Sequence, residues 1–103
     1  MTNEEIAKLI ERRRRQVLVN SVIYYVFDDN LITDDTWNRW ANELDDLQKR
    51  YPDIAKEVWY ADVFKDFDPC TGHNLPLDDP WAVNKARYLL NCRREELLRR
   101  IDG

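Results

Sequence analysis

Glycine and proline are nearly absent from this chain, which limits what it can fold into more than any other feature. There are two glycines and four prolines in 103 residues, three of the prolines fall between Pro69 and Pro80, and long stretches carry no helix breaker. Such stretches favour helices over turn-rich sheets. At this length a single hydrophobic core is expected, because two would each be small. Hydrophobic residues make up 44% and four are tryptophans, so there is ample apolar surface to bury although 35% of the chain is charged. The fold expected is all-α, a three- to four-helix single domain over residues 1–103.

Local signals place the helices. Thr2 followed by Glu5 is spaced as a capping box, with Glu4 and Glu5 in the first turn where the helix dipole favours carboxylates. From there Ile6, Leu9, Ile10, Val17 and Tyr24 recur at helical spacing. Residues 17–27 are apolar on nearly every side; they are rich in β-branched and aromatic residues, so local propensity would also permit a strand. Continuity from the capped start selects helix, ended by Asp28, Asp29 and Asn30. Trp37, Trp40, Ala41, Leu44, Leu47 and Tyr51 define an amphipathic helix capped by Thr33 or Asp34 and stopped at Pro52. A third, short helix is expected from Pro52 to about Lys65. Residues 66–79 read as an ordered loop, and Asp79 with Pro80 opens a last helix marked by Val83, Ala86, Leu90, Leu97 and Ile101. The hairpin of residues 4–28 and 33–51 is expected to pack its aromatic face against that helix. The core should then hold Val17, Ile23, Val26, Trp40, Leu44, Leu47, Val58, Leu90 and Leu97, with Cys92 also inside.

Charge is unevenly spread. Residues 28–79 carry five basic against fourteen acidic side chains, a net −9, whereas residues 1–16 sum to +2 and residues 80–103 to +3. Arg12 to Arg15 form one run, and Arg93, Arg94, Arg99 and Arg100 crowd the last helix. These arginines read as a solvated face, or as partners of the acidic middle, before they read as a phosphate-binding surface. Tight binding to nucleic acid is not expected. No apolar run of membrane-spanning length occurs, and the start of the chain has no secretory pattern, so a cytoplasmic protein with free Cys70 and Cys92 is expected.

Catalytic motifs are missing. Cys70-x-x-His73 has the spacing of half a zinc site, but two further ligands are not evident, so no metal is expected. The carboxylate pairs Asp28–Asp29, Asp34–Asp35, Asp45–Asp46 and Asp78–Asp79 suit capping and solvation better than acid–base chemistry. With glycine only at 72 and 103 there is no phosphate loop. The chain reads as no enzyme, with no catalytic residues.

The run YYVFDDNLITDDTWNRWANELDDLQKRYPDI, residues 24–54, resembles the N-terminal helical domain of bacterial NAD-dependent DNA ligases, which reads tyrosine-histidine-valine, an acidic turn, aspartate-x-x-tyrosine-aspartate, then a helix ending in histidine- or tyrosine-proline. The resemblance covers roughly residues 5–60 and implies a helical hairpin. It also implies a site for the nicotinamide mononucleotide half of NAD, held by aromatic and carboxylate side chains. Position by position, Tyr24 and Asp34 match the family; Tyr25 replaces histidine, Trp37 replaces tyrosine, and Asn38 replaces the second aspartate. Those replacements remove an imidazole and a carboxylate that a ribose or phosphate would use. The adenylating lysine of a ligase has no counterpart: Arg100-Ile-Asp-Gly is the nearest run, and arginine is no nucleophile. The last forty residues do not match the ligase, so the chain looks like a free-standing version of the kind associated with small phage and prophage proteins. Two functions are left open. One is a non-enzymatic protein that binds a protein partner, and the other a nucleotide-binding module for nicotinamide mononucleotide or NAD around Tyr24, Tyr25, Asp34, Trp37 and Asn38.

Overall fold

A computed structural model describes residues 1–102, with side chains through Arg100; Ile101 of the expected apolar stripe and the end of the Arg-Ile-Asp-Gly run lie outside the described side chains. Five helices follow in order: α1 Asn3–Tyr25, α2 Asp34–Arg50, α3 Pro52–Ala55, α4 Ala61–Phe64 and α5 Pro80–Asp102. No strand occurs among the described residues. The strand alternative at 17–27 is thereby excluded, the stretch being helix through Tyr25.

The helix starts follow their chemistry. Thr2 Oγ1 accepts from the Glu5 amide at 3.1 Å while Glu5 Oε1 accepts from the Thr2 amide at 3.2 Å, a complete capping box. Thr33, not Asp34, caps α2, accepting from the Thr36 amide at 3.1 Å. Asp79 accepts from the Ala82 amide at 3.0 Å, and Pro80 is the first residue of α5.

Helix α1 is the central element, packing against both α2 and α5. Covered on two sides, it buries Val19 and Ile23 as well as the stripe Ile6, Ile10, Arg14, Val17, Leu18, Ser21 and Val22. Ala41, Leu44 and Leu47 face it from α2, and the small Ala82 and Ala86 are the buried positions of α5. Phe64 and Leu75, from α4 and the following loop, close the same cluster.

Several expectations are corrected. Helix α1 stops at Tyr25, before the aspartates, because the chain turns through Asp28 at φ 51° and the Asp29 amide reaches back to the Ile23 carbonyl. Val26 is therefore exposed. The hairpin meets α5 through α1 and its tryptophans are not the contact: Trp37 and Trp40 sit at the α1–α2 side, Phe27 lies beneath Arg87 of α5, and Trp59 and Tyr60, stacked on each other, are edge-on to Trp81. The expected helix from Pro52 to Lys65 breaks in two around Tyr60, which is left-handed at φ 59°. Its hydroxyl is held by the Asp79 carboxylate at 3.0 Å, so the N-cap of α5 also fixes this turn. Leu97 is exposed instead of buried because α5 outruns α1 and every described side chain after Arg93 faces solvent; Cys92 is exposed on the outer face of α5 with Lys85 and Tyr88, and Trp40, Val58 and Leu90 are only half-buried. At about 1.5 Å per residue this 23-residue helix is about 34 Å long, which accounts for the extended 50 × 28 × 25 Å shape.

The arginine run is divided by its position on α1. Arg13 bonds Glu43 at 3.0 Å, as expected for pairing with the acidic middle. Arg15 pairs with Glu11 and lies over the rings of Trp59 and Trp81. Arg14 points inward and is 1% exposed, donating to the carbonyls of Ala55, Val58 and Trp59 and to Gln48 Oε1, each at 2.9–3.0 Å. Burial pulls its pKa down to about 10, so it stays charged at neutral pH. The four arginines thus make no single basic face.

Candidate functional site

A cleft of about 260 Å³ opens where the last turn of α1, the 30–33 segment, the start of α2 and the 70–72 stretch converge. All five residues singled out in the sequence line it. Tyr24 and Tyr25 come from the end of α1, and Asp34, Trp37 and Asn38 from the first turns of α2. The turn between the helices brings these groups together, and its geometry depends on a distant tie. Arg93 of α5 donates to both carboxylate oxygens of Asp29 and, at 3.0 Å, to the Asn30 carbonyl.

That tie gives a pH prediction. The Arg93 hydrogen bond, with help from the Asn30 amide, holds Asp29 below the usual carboxylate range. A lowered folded pKa means the contribution is complete above the unfolded value of about 3.9 and is lost as pH falls through the folded one. Asp29→Asn should therefore flatten the acid limb of the stability profile, measured by urea midpoints between pH 6 and 2. An unchanged acid limb would contradict the tie.

The floor of the cleft is a small polar lock. Ser21 Oγ donates to the Val17 carbonyl at 2.7 Å and accepts from Trp37 Nε1 at 3.2 Å, so the indole donor of Trp37 is consumed internally. Gly72 is buried against both residues. A Cβ at position 72 would lie 2.9 Å from Ser21 Cβ and 3.2 Å from Trp37 Cζ2, and closer still to Ser21 Oγ. Glycine is required here for space.

The walls differ from the floor. Tyr24 is 54% and Tyr25 44% exposed, and their rings stand at 84° with centroids 4.9 Å apart, forming an aromatic corner. Tyr25 also meets His73 of the loop edge-on at 5.7 Å. Asp34 is the one charged side chain in the lining, and no lysine or arginine contributes. Cys70 lines the cleft too, but the hydrogen bond to Asp68 pushes its thiol up, away from the thiolate a nucleophile needs. Among the described residues no group of three or more His, Cys, Asp or Glu gathers as a metal site.

Sequence reading missed Ser21, Thr71 and Gly72 as part of this site. Two signals were present: Ser21 is a hydroxyl inside an apolar helical run, and Gly72 is the one glycine before the chain's last residue.

Comparison with known proteins supports the resemblance over half the chain. The sequence is 37% identical over 52 residues to a DNA ligase of Pseudothermotoga lettingae, 31% over 52 residues to that of Thermotoga maritima, and 38% over 54 residues to that of Coprothermobacter proteolyticus. These matches cover 50–52% of this chain and 8% of each ligase. No protein-family profile and no solved structure matches the chain. No helix among the described residues is long and apolar enough to cross a membrane.

Proposed function

We propose that this chain is a non-enzymatic binding domain that recognises a protein partner through the cleft built on its ligase-like half. The observation that carries this reading is the pair Tyr24 and Tyr25, two large rings left half in water at the mouth of a cleft that offers one carboxylate and no cation. Exposed aromatic anchors beside a concave surface suit protein recognition. Without a lysine or arginine in the lining, a phosphate entering the cleft would have no charged partner. The non-enzymatic assignment draws support from the single carboxylate and the raised Cys70 thiol, which leave no paired acid and base and no activated nucleophile. A cytoplasmic location and a phage or prophage origin belong to the same proposal and rest on the sequence alone.

A second reading, binding of nicotinamide mononucleotide or NAD, is favoured by one fact: Tyr24, Tyr25, Asp34, Trp37 and Asn38 share a single cleft. The two readings separate in one experiment. The full chain and a Tyr24→Ser/Tyr25→Ser variant are used as baits in host extract, and both are melted with nicotinamide mononucleotide. Exposed substitutions of this kind shift stability by about 0.5 kcal/mol or less, so the variant stays folded. The expected result is a protein retained by the wild type and lost by the variant, with no thermal shift from the nucleotide. A ligand at a hundredfold excess over its dissociation constant stabilises by about 2.7 kcal/mol. Such a shift, abolished by Asp34→Ala, would replace the protein-binding reading with the nucleotide one.

A further inference from the structure

The composition of the cleft points beyond protein binding in general to the kind of group that enters it. The near-perpendicular rings of Tyr24 and Tyr25 make two π walls, and among the described residues neither hydroxyl is hydrogen-bonded. Trp37 adds a third aromatic surface whose N–H is already committed to Ser21. Asp34 supplies the charge, and it is free to do so because Thr33, not Asp34, caps α2. Arg93 of α5, which reaches the adjoining turn, is bound to Asp29 and Asn30. The volume of about 260 Å³ falls just below the range of about 300–1,000 Å³ usual for drug-sized ligands, which suits one long side chain.

Resting on the protein-binding reading above, we propose that the cleft receives a cationic side chain, an arginine or lysine of the partner, with the cation against the aromatic walls and paired with Asp34. Aromatic faces attract cations through their quadrupole, and a carboxylate at the rim adds a charge-assisted hydrogen bond. Asp34 opposes an anion at the same place. A guanidinium is favoured over an ammonium, because its plane can stack on one ring while its edge N–H groups reach Asp34.

The test uses the isotopically labelled full chain and follows the Trp37 Nε1–H resonance. Four probes are titrated: acetyl-arginine amide, its neutral isostere acetyl-citrulline amide, agmatine, and nicotinamide mononucleotide. Acetyl-arginine amide should shift that resonance and bind about tenfold more tightly than the citrulline probe, with the advantage shrinking as salt rises. Asp34→Asn should remove most of that advantage while leaving the rest of the spectrum in place. Tyr24→Ala, at an exposed position, provides a second variant with the same expected loss. Equal binding of the arginine and citrulline probes would overturn the proposal, and so would a larger response to the nucleotide. Agmatine binding tenfold more tightly than the arginine amide would also overturn it, by making a small organic cation the occupant. If no probe binds but bait capture still depends on Tyr24 and Tyr25, the cation is wrong and the protein-binding reading stands. If the arginine probe binds as expected and capture fails, the cation site stands and the protein-binding reading falls.

Discussion

Arg14→Leu should destabilise the protein by about 2–6 kcal/mol, from two stranded carbonyls at about 1–3 kcal/mol each. Arg14 is a buried charge with no carboxylate beside it; it is compensated by the carbonyl oxygens of Ala55, Val58 and Trp59 and by Gln48 Oε1. Leucine would fit the apolar surroundings, but it would strand the carbonyls of Val58 and Trp59, each costing about 1–3 kcal/mol when buried unpaired, and leave the Ala55 carbonyl with only the 3.4 Å bond from the Val58 amide. Those acceptors belong to the stretch where the chain leaves helix α3 and turns through Tyr60, so the local structure there is expected to loosen with them. Gln48 bridges the same stretch, donating to the Phe64 carbonyl at 3.0 Å. Arg14→Lys should fall between wild type and leucine, because an ammonium keeps the charge without the planar fork that reaches three carbonyls. Urea denaturation would measure both, with hydrogen exchange at residues 55–64 as the local readout. A loss under about 1 kcal/mol for the leucine variant would show that the carbonyls find water or new partners, and the assigned role would be wrong.

Gly72→Ala is the second. The added methyl meets Ser21 and Trp37, and Ser21 cannot swing aside without breaking its bonds to the Val17 carbonyl and the Trp37 indole. Overpacking of this kind costs about 1–3 kcal/mol. The loop should lift from α1 and α2, releasing Leu75 from the core and freeing the Trp37 ring at the floor of the cleft. A double variant isolates the contact. Ser21→Gly removes both clashing atoms but costs about 1 kcal/mol on its own as a helical glycine. The pair should therefore be less destabilised than the sum of the single changes. Strict additivity would mean that the loop does not press on Ser21. The cleft is also expected to lose its shape in Gly72→Ala, so binding of any occupant should weaken together with stability.

The helical hairpin was legible because its signals are local. The capping box at Thr2, the Thr33 start, the tryptophan-leucine spacing of α2 and the stop at Pro52 depend on residues within a turn or two of each other, and helical geometry converts that spacing directly into a face. Tyr24, Tyr25, Asp34, Trp37 and Asn38 were named by the resemblance to the ligase domain alone; that they share one cleft follows from the short turn that brings the end of α1 to the start of α2. Charge counts could separate an acidic middle from basic ends. They could not reveal which arginine turns inward, although one clue was present: Arg14 continues the stripe Ile6, Ile10, Val17 and Ser21 at helical spacing, where an apolar residue belongs.

Tertiary contacts decided the rest. Residues 52–65 have enough apolar spacing to read as one helix, and they break because Arg14, over forty positions earlier in the chain, claims carbonyls there while Asp79 holds the Tyr60 hydroxyl. The exposure of Leu97 follows from α5 running past the end of α1, a consequence of relative placement that periodicity cannot register. The cleft itself needed the loop at 70–72 to settle on Ser21 and Trp37, a contact between segments about fifty and thirty-five positions apart. The sequence determined the three long helices, to within a few residues at their ends, and the apolar face of α2, because those are properties of neighbours. Only the tertiary structure decided which buried polar groups would satisfy one another and what shape would be left open, because a buried donor must find its acceptor wherever the fold supplies one.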